Sequence, residues 1–252
     1  MSRKIALVTG GSRGLGKNMA INIAKKGLDV IITYRSKKEE AEQVISDLET
    51  LGKKAVALKL DLLNTHAAEQ FPNELSSTLK SNWGTGKIDF LINNAGQGAT
   101  VPFEKVSPDL FDELLNVHFK GVYFLTQHLL PFINDNGGII NISSGTTRYV
   151  IPGYSVYSSM KGAVEVLTKC LAKELGPRGI RVNIVAPGPV ETDFNNAMIR
   201  SNPEIKTRLS SLSPLGRVGN ADDIGGVVAF LCTADAKWIN GQRIEVSGGI
   251  NV

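Results

Sequence analysis

The chain has 252 residues, of which 42% are hydrophobic, 21% charged and 6% aromatic, values that exclude a disordered, collagenous or coiled-coil protein. Its 28 lysines and arginines against 24 acids leave a net charge of +4 scattered along the chain, which points to no nucleic-acid partner. Cys170 and Cys232 have neither metal-ligand spacing nor the look of a disulfide framework, in keeping with a reducing compartment.

Near the start, Arg3 and Lys4 precede Ile5-Ala6-Leu7-Val8, an apolar run too short for a signal-peptide core. No run approaches the roughly 18 residues of a membrane helix, so a soluble cytoplasmic protein is expected. Strands are predicted in chain order at Lys4–Thr9, Asp29–Tyr34, Lys54–Leu60, Ile88–Asn93, Gly138–Ser143, Ile180–Val185 and Gln242–Val246. Helical patterns separate them at Gly14–Lys26, Lys38–Leu51, Ala67–Ser81, Asp109–Ile133, Tyr154–Leu175 and Ala221–Cys232. The strands are continuous apolar runs, as in a parallel sheet covered by helices on both faces. Alternation of this kind implies right-handed crossovers and one α/β domain over residues 1–252, a doubly wound, Rossmann-like parallel sheet. Ligands of such sheets bind beyond the carboxyl ends of the strands.

The first strand runs into Thr9-Gly10-Gly11-Ser12-Arg13-Gly14-Leu15-Gly16 and then a helix. Glycines there allow a sharp turn and bring bare backbone close to a pyrophosphate at the helix N-terminus. The spacing is not the common dinucleotide fingerprint, and no Gly-Lys-Ser/Thr follows to make a P-loop. The second strand ends in Thr33-Tyr34-Arg35-Ser36, with no carboxylate for an adenosine ribose, and Asp29 lies at the wrong end. Arg13 and Arg35 are either solvated surface arginines or a bracket for a 2′-phosphate. Their place at the carboxyl edge favours the phosphate, and with it NADP(H) over NAD(H).

Asn93-Asn94-Ala95-Gly96 closes the fourth strand and Asn141-Ile142-Ser143-Ser144-Gly145 the fifth. Tyr157 and Lys161 then share one helical face. An ammonium beside a phenol favours the phenolate, so the pair is expected to lower the tyrosine pKa.

Taken in order, Thr9-Gly10-x-x-x-Gly14-x-Gly16, Asp61, Asn93-Asn94-Ala95-Gly96, Ser144, the Tyr157/Lys161 pair and Pro187-Gly188-Pro189-Val190-Glu191-Thr192 resemble the short-chain dehydrogenase/reductase family over essentially the whole chain. The resemblance implies an NADP(H)-dependent oxidoreductase that interconverts a carbonyl and a secondary alcohol by hydride transfer; reduction of 3-oxoacyl thioesters is one common activity. It implies Tyr157 as general acid or base, Lys161 on the nicotinamide ribose, and Ser144 on the substrate carbonyl. Ser143 is the rival serine, but the family offset of 13 residues before the tyrosine selects Ser144. Gly10, Ser12, Arg13, Gly14, Leu15, Gly16, Asp61, Leu62, Asn94, Ala95 and Gly96 would line the cofactor, Asp61 near the adenine. Val190 and Thr192 would meet the carboxamide. A mobile lid over about 191–214 and a homotetramer also follow from the resemblance.

One position departs from the family pattern. His118 stands where an asparagine usually supports a water-linked proton relay to the lysine, and Asn116 lies two residues early. Either helix backbone supplies the relay carbonyl while His118 fills space, or its imidazole, titrating near neutral pH, joins the relay. His66 and His128 form no cluster with it, so no metal is expected. In the lid, Phe194, Met198 and Ile199 are either an apolar wall or packing residues, and the loop Gly145–Tyr154 would oppose them. Arg148 either meets an anionic group or is a solvated loop arginine, and the second reading is favoured. The turn Asn134-Asp135-Asn136-Gly137 offers an acid rather than a basic rim, which disfavours a carrier protein as substrate bearer. A regulatory protein that binds NADP(H) without turnover is the alternative from another class; the presence of Ser144, Tyr157 and Lys161 together favours the enzyme.

Overall fold

The computed structural model describes residues 3–250, apart from the side chains of Thr65 and Asn196. Asn251 and Val252, the end of the C-terminal segment expected to form a subunit contact, lie outside the described residues. Seven strands form one all-parallel sheet: β1 (Ile5–Val8), β2 (Asp29–Tyr34), β3 (Ala55–Lys59), β4 (Ile88–Asn93), β5 (Ile133–Ile142), β6 (Arg181–Pro187) and β7 (Arg243–Val246). Their spatial order is β3-β2-β1-β4-β5-β6-β7. The order reverses between β1 and β4, and a crevice opens there beyond the strand ends.

The helices are α1 (Gly14–Lys25), α2 (Lys38–Thr50), α3 (Thr65–Trp83), α4 (Pro108–Leu115), α5 (Gly121–Leu129), α6 (Ser155–Glu174), α7 (Phe194–Ser201), α8 (Pro203–Ser211) and α9 (Ala221–Leu231). Two apolar cores lie on the two sides of the sheet. Ala6, Val8, Ile32 and Ile92 meet α1, α2 and α9 on one side. Leu7, Ile31, Leu91 and Ile139 meet α3 and α5 on the other. Successive strand residues point to opposite faces, which is why the runs read as continuously apolar.

Local signals set several helix starts. Ser107 accepts a hydrogen bond from the Leu110 amide and Pro108 takes the first position of α4, while Asn220 and Asp223 form a reciprocal cap on α9. The helix expected over Asp109–Ile133 is interrupted and shorter. Residues Asn116–Lys120 relax into a π turn in which the Gly121 amide reaches back to the Asn116 carbonyl. Pro131 then ends the helix, and Ile133 already belongs to β5, paired with Ile88. The expected turn Asn134-Asp135-Asn136-Gly137 therefore lies inside β5, as an irregularity with Asn136 at φ 62°. Among the described residues no helix is long and apolar enough to cross a membrane.

Candidate active site

The glycine turn is tied to both neighbouring strands. Thr33 accepts the Gly10 amide on its hydroxyl at 3.1 Å and the Gly11 amide on its carbonyl at 2.8 Å. Asn94 donates through Nδ2 to the carbonyls of Thr9 and Gly10 at 2.9 and 3.2 Å. The Thr9 hydroxyl in turn accepts from the amides of Asn94 and Ala95. Gly16 is required by contact, since a Cβ there would lie 2.2 Å from the Gly10 carbonyl oxygen. Ser12 and Leu15 are half-buried on this turn, and Leu15 packs onto the core below. At the third strand end Asp61 is half-buried, its carboxylate accepting the Leu63 amide, and Leu62 is buried.

Arg13 and Arg35 are both exposed at this edge. Arg35 reaches the Gln97 side chain at 3.5 Å, and among the described residues neither guanidinium has an ion-pair partner.

Across the crevice Tyr157 and Lys161 rise from the first turns of α6, both buried. Lys161 Nζ donates to the Ile142 carbonyl at 2.8 Å. Burial lowers its pKa to about 8. The tyrosine departs from expectation. Burial pushes the phenol well above its ordinary value, opposed by the Ser144 hydroxyl; with the Lys161 ammonium turned to a carbonyl, desolvation outweighs it. In the free protein the phenol is held protonated.

Ser144 caps a short turn over Gly145–Thr147. Its Oγ accepts from the Thr146 amide at 3.2 Å and from the Thr146 hydroxyl at 3.0 Å. A hydroxyl has two acceptor lone pairs and one proton, so where the Thr146 hydroxyl donates, the Ser144 O–H goes to the neighbouring Tyr157 phenol. The rival Ser143 is buried and donates to Glu165 Oε1 at 2.5 Å.

His118 lies in the π turn, 1% exposed. Its Nε2 meets the Gln97 carbonyl at 2.7 Å, which fixes Nε2–H and leaves Nδ1 an acceptor. Nδ1 is buried with no hydrogen-bond partner among the described residues. Gly96 makes room for the ring, for a Cβ there would stand 2.7 Å from Cε1. Burial, then the Lys161 charge, lowers the imidazole pKa to about 3. That depth of burial holds the ring neutral, which favours the space-filling alternative for His118 over the titrating one.

Above the phenol, the half-buried Val190 bridges to Gly219, and Thr192 accepts the Phe194 amide at 3.2 Å. The Phe194 ring lies 6.0 Å from that of Tyr157, and Tyr154 is equally near on another side. Asn195, at φ 52°, donates to Thr100 Oγ1 at 3.0 Å and to the Tyr154 hydroxyl at 2.9 Å. A small cavity of about 10 Å³, lined by Val101, Val106, Leu110, Leu114 and Val156, adjoins the phenol. Arg148 is exposed as expected but pairs with Glu245 at 2.8 Å.

A family model described as Enoyl-(Acyl carrier protein) reductase matches residues 10–251. The chain belongs to the short-chain dehydrogenase/reductase family. It is 37% identical over 247 residues to an uncharacterized oxidoreductase of Methylorubrum extorquens, covering 98% of this chain and 97% of that protein. It is 34% identical over 252 residues to the hydroxynaphthalene reductase arp2 of Aspergillus fumigatus, covering 96% and 90%. Among solved structures it resembles the angucycline C-6 ketoreductase LanV with bound NADP, at TM-score 0.93, 37% identity and coverage of 98% and 95%. The reductase LugOII, which catalyses keto-reduction at C1 during lugdunomycin biosynthesis, matches at TM-score 0.93 and 36% identity, covering 98% and 97%.

In this short-chain dehydrogenase/reductase, the roles of Thr9, Thr33, Thr146 and Asn195 were not legible in the sequence. Thr9, Thr33 and Asn195 act through hydrogen bonds between elements distant in sequence, whereas Thr146 acts on Ser144 two residues away. The one available signal was position, because Thr9, Thr33 and Thr146 fall at or just past strand ends.

Proposed function

We propose that this chain is an NADPH-dependent ketoreductase acting on an apolar, ring-bearing ketone. One observation carries the reading: the Ser144 hydroxyl and a protonated Tyr157 phenol stand together, with the rings of Tyr154 and Phe194 each 6.0 Å from that of Tyr157.

The residues fit a nicotinamide dinucleotide. At Gly14, φ 54°, a Cβ would find only Thr192 within reach, at 3.9 Å, so this face of the turn is bare backbone at the start of α1, where a pyrophosphate sits well. Gly10, Ser12, Arg13, Leu15 and Gly16 would hold the phosphates; Asp61, Leu62, Asn94, Ala95 and Gly96 would line the adenosine half and the ribose. Arg13 and Arg35, with no acid at this edge, suit a 2′-phosphate. Val190 and Thr192 would meet the carboxamide. Bound there, NADPH supplies a hydride to the carbonyl carbon.

Tyr157 donates its proton to the carbonyl oxygen, and its raised pKa keeps that proton in place until it is needed. Ser144 donates to the same oxygen as negative charge gathers there. Lys161 keeps two donors beyond its bond to Ile142 for the ribose hydroxyls. His118 walls the phenol. Helices α7 and α8 lie within the lid over about 191–214, with Phe194 and Tyr154 as flat walls for a ring. The ketoreductase and hydroxynaphthalene reductase relatives support that substrate class over a 3-oxoacyl thioester.

Exposed Tyr123, Phe124 and Val166 on α5 and α6 support a homo-oligomer, a tetramer by family resemblance. Two free cysteines suit the cytoplasm. NADPH oxidation measured with a fused-ring ketone and with a 3-oxoacyl-CoA tests the substrate class. Faster turnover of the ketone is expected, and a clear preference for the thioester would overturn it.

A further inference from the structure

Behind Ser144 lies a charged cluster that the proposed chemistry does not use. Glu165, one helical turn beyond Lys161 on α6, accepts on a single carboxylate oxygen from the Ser143 hydroxyl at 2.5 Å and from Arg243 Nε at 2.8 Å. The Thr147 hydroxyl lies 2.7 Å from the same oxygen and 2.9 Å from the Ser144 carbonyl. Arg243, on β7, also reaches the Thr147 hydroxyl at 3.1 Å and the Ser144 carbonyl at 3.4 Å through Nη2. Its Nη1 meets Glu245 at 3.0 Å, and Arg148 closes on the same Glu245 oxygen at 2.8 Å. The Glu165 and Arg243 side chains are only 17% and 20% exposed.

We propose that Glu165 and Arg243 are positioning residues that clamp the Ser144 turn and aim its hydroxyl at the substrate oxygen. The inference rests on the reading of Ser144 as the donor to that oxygen. The turn is held at three points: the Ser143 hydroxyl before it through Glu165, the Ser144 carbonyl through Arg243, and the Thr147 hydroxyl after it through both. The turn itself, Gly145-Thr146-Thr147, is built of small residues, and the Tyr149 ring packs on Gly145, where a Cβ would lie 2.3 Å from its hydroxyl. Charge-assisted hydrogen bonds from α6 and β7 add direction to that packing. A planar guanidinium suits the site because its three nitrogens reach Glu165, Glu245, the Thr147 hydroxyl and the Ser144 carbonyl at once, more acceptors than the single nitrogen of an ammonium serves. Arg148, exposed in the loop, then braces Arg243 from outside through Glu245.

The test uses Glu165→Gln, which keeps the size and removes the charge, and Arg243→Lys. Each is expected to lower kcat for ketone reduction about tenfold and to leave KM for NADPH unchanged, less than the roughly 100-fold or more that follows loss of an oxyanion donor itself. In a Ser144→Ala background neither substitution should lower kcat further, because the group they aim is gone. Amide exchange at Thr146, whose N–H bonds to Ser144 Oγ, should quicken in both variants. Losses that multiply with Ser144→Ala, or Thr146 exchange that stays as slow as in the wild type, would overturn the clamp. A wild-type protein inert towards every carbonyl overturns the functional reading instead, and Thr146 exchange still decides the clamp.

Discussion

The imidazole of His118 stands edge-on to the phenol of Tyr157, with ring centroids 5.0 Å apart and planes at 87°. The contact brings a neutral nitrogen heterocycle into the driest part of the site, where its charged form is disfavoured by burial and by Lys161.

That neutrality makes stability depend on pH. In the unfolded chain a histidine takes up its proton near pH 6.5, whereas in the fold His118 does so only at about 3. The unfolded state therefore binds the extra proton first, and stability is lost as pH falls from 6.5 towards 3. At pH 5 the loss from this residue is about 2 kcal/mol, at 1.36 kcal/mol per unit. Urea unfolding of wild type and His118→Asn at pH 7 and 5 should show the wild type losing about that much more. Equal losses in the two proteins would contradict the assignment.

Lys161 gives a second pH signature. Its pKa of about 8 in the free protein means that charge needed at the ribose is lost on mildly alkaline titration. kcat/KM for NADPH, which reports groups of the free enzyme, should be level below pH 8 and fall above it. A profile level to pH 10 would show that the Lys161 charge is not used.

The strands were legible where apolar runs were unbroken: β2 and β4 begin and end as the pattern predicts. The early start of β5 was hidden by the polar stretch Asn134-Asp135-Asn136, and the end of α5 was set by Pro131 rather than by periodicity. The π turn at Asn116–Lys120 leaves no mark in residue type, because its cause is how α4 and α5 sit in the fold. The spacing of Tyr157, Lys161 and Ser144 survived as proximity because all three hang on adjacent elements, β5 and α6. The expected lowering of the tyrosine pKa did not survive, since sequence carries charge but not burial. Glu165 and Arg243, 78 residues apart, could be joined only by the fold.

Phe194 tests the flat walls proposed for the ring. Its ring faces Tyr157 at 6.0 Å on the lid side. Phe194→Ala should raise KM for a fused-ring ketone about tenfold, the scale of one lost aromatic pairing of 0.5–1.5 kcal/mol. KM for NADPH should not move. An unchanged ketone KM would remove Phe194 from the binding surface.

The proposed cofactor choice turns on Arg35. A charged hydrogen bond contributes about 1.5–3 kcal/mol, and an exposed one falls at the low end. Arg35→Ala should lower kcat/KM for NADPH about tenfold and leave NADH unaffected. Raised salt should weaken NADPH more than NADH in the wild type, because only phosphate contacts are screened. Tyr34→Asp combined with Arg35→Ser should invert the preference, as the new carboxylate accepts the 2′-hydroxyl and repels a phosphate.

The central claim is that Tyr157 delivers the proton to a ketone reduced by NADPH. Turnover of a fused-ring ketone by Tyr157→Phe, followed at the reduced-nicotinamide absorbance band beside NADPH affinity by fluorescence titration, measures it directly. The account predicts kcat lower by about 100-fold or more, with NADPH affinity retained through Lys161 and the glycine turn. Near-normal turnover in Tyr157→Phe would contradict it.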